Sequence, residues 1–275
     1  MKFRFALALF ALSICGAALA ADDFWEKKDF AEWSENEAKR VLEDSPWSKK
    51  ESITELVISQ TSRSGDAADR ENVKEMWYRA QFWSALPMRE ARVRTMQIQG
   101  KYKDMSADQK KQFDENAKRF IEQPFPDTIV VRVTYGSNVD DYGRKMGSYW
   151  QEQTTDLQKN QFFLVANNQR IPIAQLQLVQ GGAREFYALF PRTVDGQPVL
   201  PNADGKLGIE FQHPDIAGSS SSTPAVLPGQ STGPTGVGSN SGQTTASQIK
   251  GGRNSQRIFV QFKPNKMLFH GNLTY

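Results

Sequence analysis

Between Asp22 and Ser48 the chain reads DDFWEKKDFAEWSENEAKRVLEDSPWS, so the rings of Phe24, Trp25, Phe30, Trp33 and Trp47 crowd around one short stretch. Large aromatic side chains bring a large apolar surface with a specific packing geometry, and they need a surface to bury against. This stretch cannot supply it alone. Ser34 and Glu37 stand in the S-x-x-E spacing in which each side chain satisfies the other's backbone at a helix start, and Ala38, Val41 and Leu42 then share one face. Pro46 ends the helix, because proline disfavours helical dihedrals in the residue before it. The rings therefore have two readings. They form a recognition patch for an envelope protein or a glycan, with Trp25, Trp33 and Trp47 as the binding residues, or they form an aromatic lid closing the core of the domain that follows. The lid is favoured, because buried aromatics dominate cores and an exposed cluster of this size promotes association.

The start of the chain has Lys2 and Arg4, an apolar run from Phe5 to Ile14, and small residues ending Ala18-Leu19-Ala20. That order is the pattern of a secretory signal peptide over residues 1–20, cleaved after Ala20. The apolar run is too short for a permanent span, so no transmembrane helix is expected in the mature chain, which would be periplasmic or extracellular. Cys15 is the sole cysteine. It lies in this leader, behind Ile14 rather than the small residue a lipid-modified cysteine normally follows. A mature chain without cysteine relies on an ordinary hydrophobic core, and thiol catalysis and cysteine-ligated metals are excluded from it. The net charge of +3 falls to about +1 once Lys2 and Arg4 are removed. Nucleic-acid binders concentrate basic residues on one face, and no such concentration is present.

The pieces Glu32-Trp33-Ser34 and Asp44-Ser45-Pro46-Trp47, one helix apart, resemble the opening of uncharacterised secreted bacterial proteins of acidobacterial type. Further fragments are similar: Ser84-Ala85-Leu86-Pro87 with Arg89 and Ala91, Phe190-Pro191-Arg192, and Phe262-Lys263-Pro264-Asn265-Lys266-Met267 with Gly271. The resemblance implies no activity, cofactor or catalytic residue, since that family has none assigned. A G-W-x-T-D element carried by some proteins from the same setting is absent from this sequence.

Alternation at Ile53, Glu55, Val57 and Ser59 predicts a strand over 53–60, followed by a polar loop over 62–69. The run 73–86 fits a helical stripe as well as a strand, and its aromatic content favours strand. A short helix is expected over 87–93, where Arg89, Arg92 and Arg94 form a small basic group. It reads as a solvated face, with an anion site as the alternative. The clearest helix is 107–122, with a Ser106/Gln109 capping box and a Phe113, Ala117, Phe120, Ile121 stripe, and it is expected to dock on a core. Further strands are predicted over 128–135, closed by Gly136, and over 162–165, 171–179, 185–190, 206–211, 257–262 and 267–275. A helix is expected over 144–153, and Asn167-Asn168-Gln169 reads as a hairpin turn.

Residues 217–256 break this pattern. They are Gly, Ser, Thr, Pro and Gln with almost no large apolar residue, a composition that cannot offset its ordering entropy. They read as a disordered insertion between two strands of one domain. The expected organisation is a signal peptide over 1–20, an aromatic helical segment over 21–48, a single α+β domain over 49–216 and 257–275, and the insertion over 217–256. The fold class is α+β: an antiparallel β-sheet or β-sandwich of about seven to nine strands with an N-terminal helix and one long amphipathic helix.

Catalytic signatures are scarce. No G-x-S-x-G or H-E-x-x-H occurs, and His213 and His270 are the only histidines. Both read as surface or turn residues. Asp140-Asp141 and Asn202-Ala203-Asp204-Gly205 lack the alternating ligands of a calcium loop and read as turns. No cofactor, metal ligand or catalytic residue is assigned. Paired carboxylates for glycoside hydrolysis leave no motif, because their separation exists only in three dimensions. Glu185 and Glu210 are the candidates for that reading, a hydrolase of envelope carbohydrate or peptide. The leading expectation is a non-enzymatic exported protein that binds or assembles in the cell envelope.

Overall fold

The structure, a computed structural model, describes residues 23–57, 72–181, 183–214 and 256–275. The leader over 1–20, the polar loop over 62–69 and nearly all of the insertion over 217–256 lie outside the described residues. After short 3-10 turns at Phe24–Glu26 and Phe30–Glu32 come α1 (Glu35–Glu43), β1 (Ser48–Val57), β2 (Asn72–Phe82), α2 (Leu86–Gln99) and α3 (Ala107–Ile121). Then follow β3 (Thr128–Ser137), α4 (Asp140–Gln151), α5 (Thr155–Gln158), β4 (Phe163–Ala166), β5 (Gln169–Pro172), β6 (Gln175–Leu178) and β7 (Glu185–Pro191). The remainder is β8 (Thr193–Val194), β9 (Gln197–Pro198), β10 (Leu207–Gln212), β11 (Arg257–Phe262), β12 (Leu268–Phe269) and β13 (Asn272–Leu273).

Two antiparallel sheets carry the fold: a five-stranded sheet in the order β1-β2-β3-β7-β6 and a four-stranded sheet in the order β11-β10-β4-β5. Alternation decides which side of each is buried. Met76, Tyr78, Ala80 and Phe82 of β2 face inward with Val131, Val133 and Tyr135 of β3 and Phe186, Ala188 and Phe190 of β7. Rings from the second sheet meet them directly. Tyr78 and Phe211 lie 4.8 Å apart, Phe82 and Phe262 also 4.8 Å, and Trp150 of α4 packs 4.3 Å from Phe186. The molecule is therefore an α+β sandwich whose core is rich in aromatic rings.

Several elements differ from the sequence expectation for local reasons. The run 171–179 is two strands in different sheets. Pro172 has no N–H to continue the first ladder. Beyond it, Ile173 N donates to Phe162 O (3.1 Å) and Ala174 N donates to Leu189 O (2.8 Å), which moves the chain across. Residues 267–275 form a small hairpin, because His270 (φ 48) and Gly271 (φ 75) both adopt the left-handed region. Gly136 lies inside β3 rather than closing it. Its missing side chain makes room for Trp77, whose indole would stand 2.6 Å from a Cβ at that position. The Asn167-Asn168 turn forms as expected, with φ of 52 and 68.

The helices α1 and α2 pack together against the sandwich, and Glu90 of α2 is half-buried beside the Phe30–Glu32 turn. Burial pushes its carboxyl up to about 7, with the nearby Asp29 charge adding to the shift and Arg89 opposing it. A carboxyl raised in the folded state destabilises that state as pH climbs from the ordinary 4.5 through about 7, and the penalty is complete above it. Glu90→Gln is therefore expected to raise stability at pH 8 by on the order of 2 kcal/mol and to change little at pH 4. Urea unfolding at both pH values checks this; an equal effect at the two would contradict it.

Candidate ligand groove

The tryptophans singled out by the sequence do not form a patch. Trp25 is 3% exposed, and Trp33 and Trp47 are 0% exposed. They join an edge-to-face chain with Phe24 that reaches the C-terminal hairpin: Trp25 to Trp47 at 5.6 Å, then Trp47 to Phe269 at 6.2 Å. The Trp47 indole N–H donates to Thr274 O (2.9 Å), and that of Trp33 to Lys28 O (3.3 Å). As surface binding residues, Trp25, Trp33 and Trp47 are corrected by this burial. The aromatic lid is what forms, since rings of this size had a core within reach.

Nor do the candidate carboxylates converge. Glu185 lies on the outer face of the five-stranded sheet, where it accepts from Arg132 Nε at 3.0 Å. Glu210 lies on the outer face of the other sheet, between Arg170 (2.9 Å) and Arg257 (2.6 Å). His213, expected at the surface, is 6% exposed, with Nδ1 2.9 Å from the Tyr78 hydroxyl. His270 is exposed in its turn. Asp140 and Asp141 open α4, and Asn202 Oδ1 accepts from Asp204 N in a local turn (3.1 Å). Among the described residues no group of three or more His, Cys, Asp or Glu is placed to hold a metal ion, and no helix is long and apolar enough to cross a membrane.

The basic group of α2 is not one solvated face. At 100° per residue, positions 89, 92 and 94 point in three directions around the helix. Arg89 is 8% exposed and turns onto the C-terminal end of α3. Its Nη1 donates to Phe120 O (3.5 Å), Ile121 O and Gln123 O (2.7 Å), while Nη2 donates to Ser84 O (3.3 Å). A guanidinium is suited to this, because the last carbonyls of a helix have no intrahelical partner and carry partial negative charge. Arg94 Nε donates to Trp33 O and holds the aromatic lid. Arg92 alone is exposed, and among the described residues no hydrogen bond or ion pair engages its side chain.

Arg92 stands at the rim of a groove of about 400 Å³ between α2, α3 and the outer face of the five-stranded sheet. Trp83 and Tyr187 form its floor, 6.4 Å apart ring to ring. Val93 and Met96 line the α2 side, and Phe113, Ala117 and Phe120 the α3 side, with Asn116 as a further polar group. The α3 stripe is only half covered, and none of its residues is fully buried. The helix is held at its C-terminal end by Arg89 and near its middle by Tyr102, whose hydroxyl donates to Asp114 (2.7 Å) and whose ring lies 5.4 Å from Phe113. Arg132 stacks on Trp83 at 5.2 Å with its charge answered by Glu185, and its Nη1 donates to Gln81 Oε1 (2.9 Å). Burial pushes the Tyr187 phenol up; the neighbouring Arg132 and Arg92 charges pull it back, and Glu185 adds to the rise.

Such a groove takes up apolar or aromatic groups, and its volume lies in the range of roughly 300–1,000 Å³ typical of small-molecule sites. The sequence held a signal for it. Residues 77, 79, 81 and 83 alternate with the core-facing residues of β2 and carry Trp77 and Trp83, so that strand has aromatics on both faces. No protein-family model, curated protein or solved structure matches the chain.

Three substitutions test the lid and the clamp. Trp47→Ala is expected to cost about 3–5 kcal/mol in urea unfolding, as for other buried large-to-small changes. Arg89→Ala is expected to cost about 3 kcal/mol, because several carbonyls lose a charged donor, whereas Arg92→Ala stays within about 0.5 kcal/mol. Equal costs for the two arginines would contradict the clamp.

Proposed function

We propose that this chain is an exported, non-enzymatic protein of the cell envelope that binds a small, largely apolar molecule between α2, α3 and the sheet. The observation that carries the reading is the groove itself: a concave surface floored by Trp83 and Tyr187 and left open beneath an amphipathic helix. Apolar lining with few polar groups is the usual character of a ligand site. The export half of the reading is supported by the ordered leader pattern over 1–20 and by the lack of cysteine after Cys15. Hydrolysis by Glu185 and Glu210 draws no support, because each is held by arginine on a different sheet.

A neutral solvatochromic dye such as Nile red reports occupancy of the groove. The purified chain is expected to enhance its emission. Ala117→Trp, which places an indole in the groove, is expected to weaken binding by at least about tenfold, a change of about 1.4 kcal/mol. Lys111→Trp, on the exposed side of α3, serves as the control and should leave binding intact. Tryptophan is a weaker helix former than alanine by up to about 0.7 kcal/mol, so thermal unfolding of both variants checks that the fold survives. Equal dye binding by the two variants would overturn the reading.

A further inference from the structure

We propose that the groove's ligand is a free long-chain carboxylate, its tail lying on Trp83 between the two helices and its head received by Arg92. This rests on the groove being a binding site and adds the chemistry of what enters it. The charge pattern around the groove carries the inference. Among the described residues no carboxylate lines it, and Arg92 is the one formally charged side chain that does.

The acidic groups nearby are already engaged or turned elsewhere. Glu185 is held by Arg132, Asp114 accepts from the Tyr102 hydroxyl, and Glu122 pairs with Lys118 at 3.9 Å. Glu90, also on α2, lies near Asp29 and does not line the groove. Arg92 thus presents an uncompensated positive charge at the mouth of an apolar cleft, while its neighbours Arg89 and Arg94 are engaged with carbonyls. Asn116 also lines the groove, its Oδ1 accepting from Arg119 Nη2. An apolar slot with one positive end fits an amphipathic monoanion, because a guanidinium and a carboxylate form strong charge-assisted hydrogen bonds while the tail leaves water. A neutral ligand would leave that charge unanswered, and a cationic one would be repelled.

Displacement of Nile red by dodecanoate, dodecanol and dodecyltrimethylammonium tests this on the full chain. Dodecanoate is expected to bind at least about tenfold tighter than dodecanol, with the cation weakest. In Arg92→Leu the ratio of acid to alcohol affinity should fall to near one, and Arg92→Lys should keep part of the preference. Equal affinity for acid and alcohol in the unaltered chain, with the dye still displaced, would overturn the carboxylate assignment and leave the groove reading standing. Failure of every amphiphile to displace the dye, or failure of the dye to bind, would overturn both. Pelleting of the chain with phosphatidylglycerol vesicles, without displacement by free dodecanoate, would overturn the assignment in favour of a membrane lipid.

Discussion

Arg89 is the contact on which the architecture outside the sandwich depends. It is a buried cation within one helix, answered not by a carboxylate but by the carbonyls at the end of the next, at Phe120, Ile121 and Gln123. The same side chain holds Ser84 O, just after β2, and its guanidinium lies 5.2 Å from the ring of Phe125. One residue thus ties α2, the end of α3 and the start of the path into β3. Holding α3 at its C-terminal end and at Tyr102 near its middle, rather than burying its whole face, leaves its apolar stripe half covered. The groove is the consequence of that geometry.

The core explains why α3 can be spared. Trp33, Trp47, Trp150 and the rings of Tyr78, Phe82, Phe186 and Phe211 fill the space between and around the sheets. The N-terminal aromatic stretch is part of this core, joined to the C-terminal hairpin through Trp47 and Phe269. With so much apolar surface already buried there, Trp83 and Tyr187 on the opposite face remain half-exposed beneath a loosely seated helix. Fold and groove occupy opposite sides of the same strands, β2 and β7.

Much of the fold was legible in the sequence because local signals and tertiary structure agreed. The capping boxes at Ser34 and Ser106 form in full, and β3, β10 and β11 fall close to where their alternation placed them. Agreement failed where one local signal was outweighed. Pro172 splits a run that reads as one strand, and His270-Gly271 folds another into a hairpin. The groove was harder to see. Helical spacing put Phe113, Ala117 and Phe120 on one face, yet spacing does not say whether a face is covered. Arg89, Arg92 and Arg94 read alike in sequence, and only the neighbouring elements distinguish a helix clamp, a lid fastener and an open cation.

The most direct test is a crystal structure of the chain grown with dodecanoate. The expected result is an alkyl chain lying on Trp83 and Tyr187 with its carboxylate at Arg92, and the Arg89 contacts to the end of α3 unchanged. A groove closed by α3 settling onto the sheet, or a ligand bound elsewhere with the groove empty, would contradict the account.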